Sequence, residues 1–251
     1  MFNKEHLFWI IFAYLLAVKN IHKNKLYNQR GIRNMFRTDK QLNYGRSIIL
    51  NYAKQIECQS VLDLGAAQGA DLDIIKKQHP LIKSYAVENW SSNKKILEKN
   101  GHVVFNKDIE KESLPFDDNS IDVIILNQLL EHTKDIFWII HECTRVLNLD
   151  GSLIIGVPNL AALHNRIFLL FGKQPSCIQT NSAHVRGFTK DGIVDFMNIF
   201  SGYRLSDFSG SNIYPFSPFL AMPLSRVLPT FSVSLFFRFT KVLEYNDEYI
   251  K

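Results

Sequence analysis

The sequence predicts an α/β fold: a doubly wound, mostly parallel sheet of seven strands with helices on both faces. Two observations predict it. From Ser60 onward, short β-branched runs alternate with segments of helical periodicity, and parallel strands need right-handed crossovers of that length, which lay helices on the sheet. Strands such as "IDVIILN" and "GSLIIGVP" are also apolar almost throughout, the pattern of strands covered on both faces.

In chain order, "SVLDL" (60–64) reads as the first strand and "DLDIIKKQ" (71–78) as the helix after it. "SYAV" (84–87) is the second strand, and "SSNKKILEKNG" (91–101) is a helix with Ser91 as its N-cap and Gly101 as its stop. "HVVF" (102–105) and "IDVIILN" (121–127) follow as strands. "TKDIFWIIHECTRVL" (133–147) is helical, because positions 136, 139, 140, 143, 146 and 147 place apolar residues on one face. "GSLIIGVP" (151–158) is a buried strand. The pattern loosens after Pro158, then gives a helix at "TKDGIVDFMNIF" (189–200) and strands at "YRLSDFS" (203–209) and "SVSLFFRF" (232–239).

Three widely spaced cysteines, Cys58, Cys143 and Cys177, fit neither a disulfide framework nor a zinc knuckle. A reducing, cytoplasmic setting is expected. The net charge of +5 is uneven: Lys19 to Lys40 holds seven Lys/Arg against Asp39, or +6, which leaves the remaining residues at 22 minus 23, or −1. Before this arm runs "LFWIIFAYLLAV", Leu7 to Val18, twelve apolar residues, short of the roughly 20 that span a bilayer. A signal peptide is not favoured, since the basic residues fall mainly after the run and no small-x-small site follows. An apolar helix trailed by cations either rests peripherally on an anionic membrane surface or docks on its own core. The expected organisation is an N-terminal appendage at 1–42 and one main domain at 43–251, with an apolar insertion or lid at about 212–230. Prolines 215, 218, 223 and 229 preclude a continuous spanning helix in that last segment.

In open parallel sheets, ligands sit beyond the carboxyl ends of the strands, which directs attention to "VLDLGAAQGAD", 61–71. Asp63 nears the strand's end, and Gly65 and Gly69 bracket a turn into a helix, where small residues let a ligand lie against backbone N–H groups. A dinucleotide fingerprint reads G-x-G-x-x-G; here Ala67 stands at the middle glycine and the loop runs G-x-x-x-G. The second strand ends in Glu88, 23 positions after Gly65, where an acid accepts hydrogen bonds from both hydroxyls of an adenosine ribose.

With these residues on view, the chain resembles class I S-adenosylmethionine-dependent methyltransferases of the type 11 and type 23 groups, whose fold is Rossmann-like. The likeness runs from about Asn43 to Tyr203. "VLDLGAAQG", "AVE", "NKDIEKESLPFDDNSIDVIILNQLLEHTKD", "ECTRVLNLDGSLIIGVPN" and "HVRGFTKDGI" carry it in order. The resemblance implies S-adenosylmethionine as cofactor, with Asp63, Gly65, Ala67 and Gly69 around its methionine half and Glu88 on the ribose. It implies Asp108 near the adenine amine, Ile109 against the ring, and Asn127 at the methionine moiety or the reacting centre. "NLDG", where the family usually has Lys-Pro-Gly-Gly, changes a turn.

Methyl transfer to a hydroxyl requires removal of its proton. His132, in "LLEHTKD", either takes that proton or fastens the following helix. His184 and Arg186, in "AHVRGFT", serve as base and anion clamp or brace their loop. His141 reads as a packing residue, and no close ligand cluster in the sequence suggests a metal.

The expected activity is therefore S-adenosylmethionine-dependent methylation, on a hydroxyl of a small-molecule, lipid or cell-surface glycan precursor. A non-catalytic, membrane-associated scaffold of the same fold is the alternative. A nicotinamide-dependent oxidoreductase is disfavoured by the loop spacing. Nucleic acid is not favoured as a partner, because "NQLLEH" after the fourth strand holds no Asn-Pro-Pro-Tyr-like tetrapeptide.

Overall fold

The structure is a computed structural model, and it describes residues 40–200 and 202–244. The apolar run Leu7–Val18 and the basic stretch Lys19 to Asp39 lie outside the described residues, as does the contact expected of them.

A short 3-10 turn, Lys40–Tyr44, leads into α1 (Arg46–Ala53). The chain then alternates through β1 (Ser60–Leu64), α2 (Ala70–Gln78), β2 (Lys83–Val87), α3 (Ser91–Lys99), β3 (Val103–Phe105), β4 (Ile121–Asn127), α4 (Ile136–Val146) and β5 (Leu147–Pro158). It continues with α5 (Leu163–Leu170), α6 (Lys190–Ile199), β6 (Tyr203–Ser211), α7 (Pro218–Val227) and β7 (Ser234–Lys241).

Local chemistry sets most boundaries. Asp135 accepts from the Trp138 N–H at 3.0 Å to open α4, and Thr189 accepts from the Gly192 N–H at 3.1 Å to open α6; such caps contribute about 1 kcal/mol each. The cap expected of Ser91 is absent. Ser91 is already helical, and Glu88 Oε1 takes the neighbouring Trp90 N–H at 2.8 Å. Gly101, at φ +78°, ends α3 as expected, with its own N–H and that of His102 returning to the Glu98 and Leu97 carbonyls. Helix α5 has no side-chain cap, Ala162 preceding it, and the sequence pattern did not reveal it.

The sheet order is β3-β2-β1-β4-β5-β7-β6, with β7 antiparallel to both β5 and β6 and the other pairs parallel. Strand order reverses between β1 and β4, so the crossovers there leave toward opposite faces and a crevice opens beyond their carboxyl ends.

The strand period of two sorts the core into two layers. Leu62, Leu64, Ile124 and Leu126 pack with Ile136, Ile139, Ile140, Cys143 and Val146 of α4 and with Ile193 and Met197 of α6. Val61, Val123 and Ile125 pack with Ile49 and Tyr52 of α1, Leu72 and Ile75 of α2, and Leu97 of α3. Each buried side chain of this size contributes roughly 1.5–3 kcal/mol. Asp63, of the same parity as Val61, therefore falls on the α1–α2 side. Phe236 of β7 also lies there, fully buried, and a Cβ on Gly156 would come within 2.8 Å of its ring and 2.3 Å of Asn127 Oδ1. Glycine at that point lets the end of β4 and the aromatic ring share one space.

The apolar segment expected at about 212–230 is a loop, α7 and a 3-10 turn, Pro229–Phe231, joining β6 to β7. Pro218 starts α7 and Pro223 lies within it. Phe219, Met222 and Val227 are exposed on this helix, and Leu170 and Phe171 at the end of α5. Contacts of His164 with Tyr214 and of Arg166 with Phe231 join α5 to this segment. No described helix is long and apolar enough to cross a membrane.

Candidate functional site

At the carboxyl end of β1 the chain turns through three residues of positive φ: Gly65 at +72°, Ala67 at +46° and Gly69 at +83°. The Gly65 N–H donates to the Val87 carbonyl at 2.9 Å, which fastens the turn to β2. A Cβ on Gly65 would lie 2.9 Å from Leu129 Cδ1. Glycine there keeps open a cavity of about 340 Å³ lined by Gly65, Ala67, Val87, Glu88, Asn89, Trp90, Asn93, Lys107, Ile109 and Leu129.

Carboxylates gather behind this wall. Asp63 is buried, and its carboxyl is pushed well above the usual range, first by burial and then by the charges of Asp71 and Glu88. Burial raises Asp71 as well, opposed by a hydrogen bond from Asn127 Nδ2 at 2.7 Å and by the Arg46 charge. Arg46 Nε and Asp71 Oδ1 form an ion pair at 3.7 Å, longer than a hydrogen bond, and neither atom has a hydrogen-bond partner. Three acids, Asp63, Asp71 and Glu88, thus interact beside one paired cation, Arg46. A small cationic ligand in the neighbouring cavity would offset the carboxylate charges that add to the effect of burial on Asp63.

Gly65, Ala67, Glu88 and Ile109 thus line one cavity, while Asp63, Gly69 and Asn127 are not among its lining residues. Asp108 sits between two lining residues, but its carboxylate pairs with Lys111 at 2.7 Å and accepts from the Glu110 N–H, which hold it below the usual carboxylate range. Sequence reading missed Asn89, Trp90, Asn93, Lys107 and Leu129. Their signal was position: each follows the carboxyl end of β2, β3 or β4.

A second grouping begins two residues beyond Leu129. The 3-10 turn Leu130–His132 brings His132 edge-to-face against His184, with ring centroids 4.6 Å apart. The Val185 N–H donates to the Glu131 carbonyl at 2.8 Å and Arg186 NH2 to the Lys134 carbonyl at 2.5 Å, so the two loops are stitched together. Arg186 therefore has a bracing contact; its Nε is buried without a partner. His132 Nδ1 meets the Ala183 carbonyl at 3.3 Å and His184 Nδ1 the Cys177 carbonyl at 2.6 Å. Burial, and then the His184 charge, lower the His132 pKa. Glu131 is 1% exposed, and burial pushes its carboxyl up to about 7. Where the sequence spacing showed no close ligand cluster, the fold places one ligand atom each of Glu131, His132 and His184 within 4.8 Å of one another. His141 is a packing residue, as expected, buried and stacked on Trp138.

Residues 62–155 match the family described as Methyltransferase domain. No curated protein matches the sequence. Among solved structures, a SAM-dependent methyltransferase from Archaeoglobus fulgidus matches with TM-score 0.57 at 16% identity, over 84% of this chain and 98% of that one. The plantazolicin methyltransferase BpumL, solved with a triazolic desmethyl-plantazolicin analogue and SAH, matches with TM-score 0.55 at 17% identity, over 82% and 87%. The [4+2]-cyclase SpnF matches with TM-score 0.58 at 14% identity, over 80% and 82%, so the fold by itself does not fix the reaction. The expected resemblance holds: the chain has the fold of class I S-adenosylmethionine-dependent methyltransferases, and its first five strands carry the matching sequence.

Proposed function

We propose that this protein is an S-adenosylmethionine-dependent methyltransferase acting on a hydroxyl of a small-molecule, lipid or glycan precursor. One observation carries the reading: a cavity floored by a glycine turn and edged by Glu88 stands beside buried carboxylates short of positive charge. That combination suits an adenosine carrying a cationic methionine end. When bound, the cofactor supplies a methyl group made electrophilic by its sulfonium.

The residues divide the work. Gly65 and Ala67 give the ligand backbone rather than side chains to lie against, Gly69 shapes the turn, and the Asp63 and Asp71 carboxylates, with Asn127 hydrogen-bonded to Asp71, lie on the side of its charged end. Glu88 uses Oε1 on the Trp90 N–H and has Oε2 for ribose hydroxyls. Ile109 and Trp90 offer apolar faces to a base, and Asp108 stands at the cavity's edge for an exocyclic amine once it leaves Lys111. His132 and His184 form the acceptor side. A carbonyl only accepts, so the proton on each ring sits on Nδ1, and Nε2 is free to receive the proton of an acceptor hydroxyl. Arg186 braces these loops, and its remaining donors suit an acidic acceptor group.

Exposed Phe219, Met222, Val227, Leu170 and Phe171 support an acceptor with a lipid portion and a peripheral position on an anionic membrane. The three unpaired cysteines suit a cytoplasmic site. Calorimetric titration with S-adenosylmethionine, S-adenosylhomocysteine and NAD tests the cofactor assignment. Micromolar binding of the two sulfur compounds, weakened in Glu88→Ala, supports it. A folded protein that binds neither overturns it.

A further inference from the structure

We propose that Glu131, His132 and His184 form a binding site for a first-row divalent transition cation at the acceptor end of the cleft. Three observations carry it independently of the cofactor cavity. The first is chemical: two imidazoles and one carboxylate are a donor set that suits such ions, and three protein ligands leave further positions open. Their ligand atoms already lie within 4.8 Å of one another. Bonds of about 2.1 Å would draw them to roughly 3.4 Å, an adjustment within reach of side-chain rotation.

The second is an orphaned atom. Glu131 is 1% exposed, yet its Oε2 is buried without a hydrogen-bond partner. An unsatisfied buried carboxylate oxygen is costly, and a cation bound there would satisfy it.

The third is the orientation of the rings. Both Nδ1 atoms face backbone carbonyls, Ala183 for His132 and Cys177 for His184, so the Nδ1 protons are committed and the Nε2 lone pairs are free. Metal-binding histidines are usually fixed this way by a second partner. The Val185–Glu131 backbone hydrogen bond at 2.8 Å sets the two loops in register.

The burial is graded. Glu131 is the buried floor, His184 is intermediate, and His132 is exposed, leaving an open side toward solvent. Two neutral imidazoles and one carboxylate leave a divalent ion with one net positive charge, which suits an acceptor hydroxyl or its alkoxide. This deepens the methyltransferase reading and rests on it for its purpose. The cation would take the Nε2 lone pairs that otherwise receive the proton, and a hydroxyl bound to the metal would be acidified and would lose its proton to solvent water on the open side.

The test is direct binding by the full chain after treatment with a chelator, with Co2+ followed by its visible absorption and Zn2+ by calorimetry. One equivalent should bind, and Glu131→Gln, His132→Ala and His184→Asn should each weaken binding at least about tenfold. S-adenosylhomocysteine titration and circular dichroism of the same variants check the fold and the cofactor cavity. No uptake by the wild type, or uptake unchanged in variants that retain secondary structure, overturns the metal site. Metal uptake without S-adenosylhomocysteine binding overturns the methyltransferase reading and leaves the site standing. If a variant loses its secondary structure, the wild-type Co2+ spectrum decides: bands of nitrogen and oxygen ligation support the site, and a thiolate charge-transfer band places the ion on a cysteine and overturns it.

Discussion

Asn127 Nδ2 donates to Asp71 Oδ2 across 2.7 Å and to the Tyr44 carbonyl across 3.1 Å, so one amide joins the end of β4, the first turn of α2 and the lead into α1. The same hydrogen bond opposes the rise in the Asp71 pKa. Asn127→Ala removes both contacts and leaves Asp71 with its ion pair to Arg46 at 3.7 Å. We expect S-adenosylhomocysteine affinity to fall about tenfold and stability to fall by about 1–2 kcal/mol, read by calorimetry and denaturant unfolding. A drop in stability without a change in affinity would confine Asn127 to folding.

Asp63 gives a pH prediction. Its folded pKa is raised above the ordinary 3.8, so the folded chain holds this proton to higher pH than the unfolded chain does. The contribution to stability is full below the ordinary value and is lost as pH rises through the folded one. Asp63→Asn removes that loss. The ligand-free variant should melt at a higher temperature than wild type near neutrality, and its melting temperature should vary less between roughly pH 4 and 8. Its stabilisation by S-adenosylmethionine should shrink, because a negative partner of the cationic end is gone. Lower melting temperatures throughout that range would show that Asp63 serves chiefly as a buried acceptor.

The same residues show what was legible in the sequence. The seven strands, the Gly65–Gly69 turn and Glu88 were readable because each rests on chain-local facts: apolar runs, a run of small residues between two glycines, and an acid at a strand end. α5 was not, since "LHNRIFLL" has neither a capping residue nor a clean amphipathic face before it. Asp108 was expected near the adenine amine; it lies in sequence between the lining residues Lys107 and Ile109, and its pairing with Lys111, three positions on, depends on side-chain geometry that spacing leaves open. The Glu131–His132–His184 cluster was invisible for a different reason. It joins loops 52 residues apart, which long-range contacts such as the Val185–Glu131 and Arg186–Lys134 hydrogen bonds bring together. The exposure of the α7 apolar residues likewise had to be seen in three dimensions.

Gly65 yields a two-part prediction. Its φ of +72° costs any other residue about 1–2 kcal/mol in the backbone, and its Cβ would meet Leu129 Cδ1 at 2.9 Å. Gly65→Ala should therefore lower both stability and S-adenosylhomocysteine affinity, and Gly65→Val should do so more severely. Adding Leu129→Ala to Gly65→Ala should restore part of the affinity, since it relieves the contact while the backbone strain persists. A double variant that binds no better than Gly65→Ala would show that the turn's conformation, rather than the room beside Leu129, governs binding.

Arg145 separates stability from binding. Its Nε and NH2 each reach one oxygen of buried Glu142 at 2.8 Å, NH1 reaches the Phe116 carbonyl and Asp118 Oδ1 at 2.8 Å, and NH2 also reaches the Leu114 carbonyl at 3.1 Å. Glu142 in turn accepts from the Leu114 N–H at 2.7 Å. The planar fork thus clamps residues 114–118 onto α4, and lysine cannot reproduce it. Arg145→Lys should lower unfolding stability by about 1–3 kcal/mol, because Glu142 stays buried with fewer donors. None of these residues lines the cavity, so S-adenosylhomocysteine affinity should match wild type under conditions where the variant is folded. Affinity that falls with stability would mean that the clamp also holds Lys107 and Ile109 in place through the connection from β3 to β4.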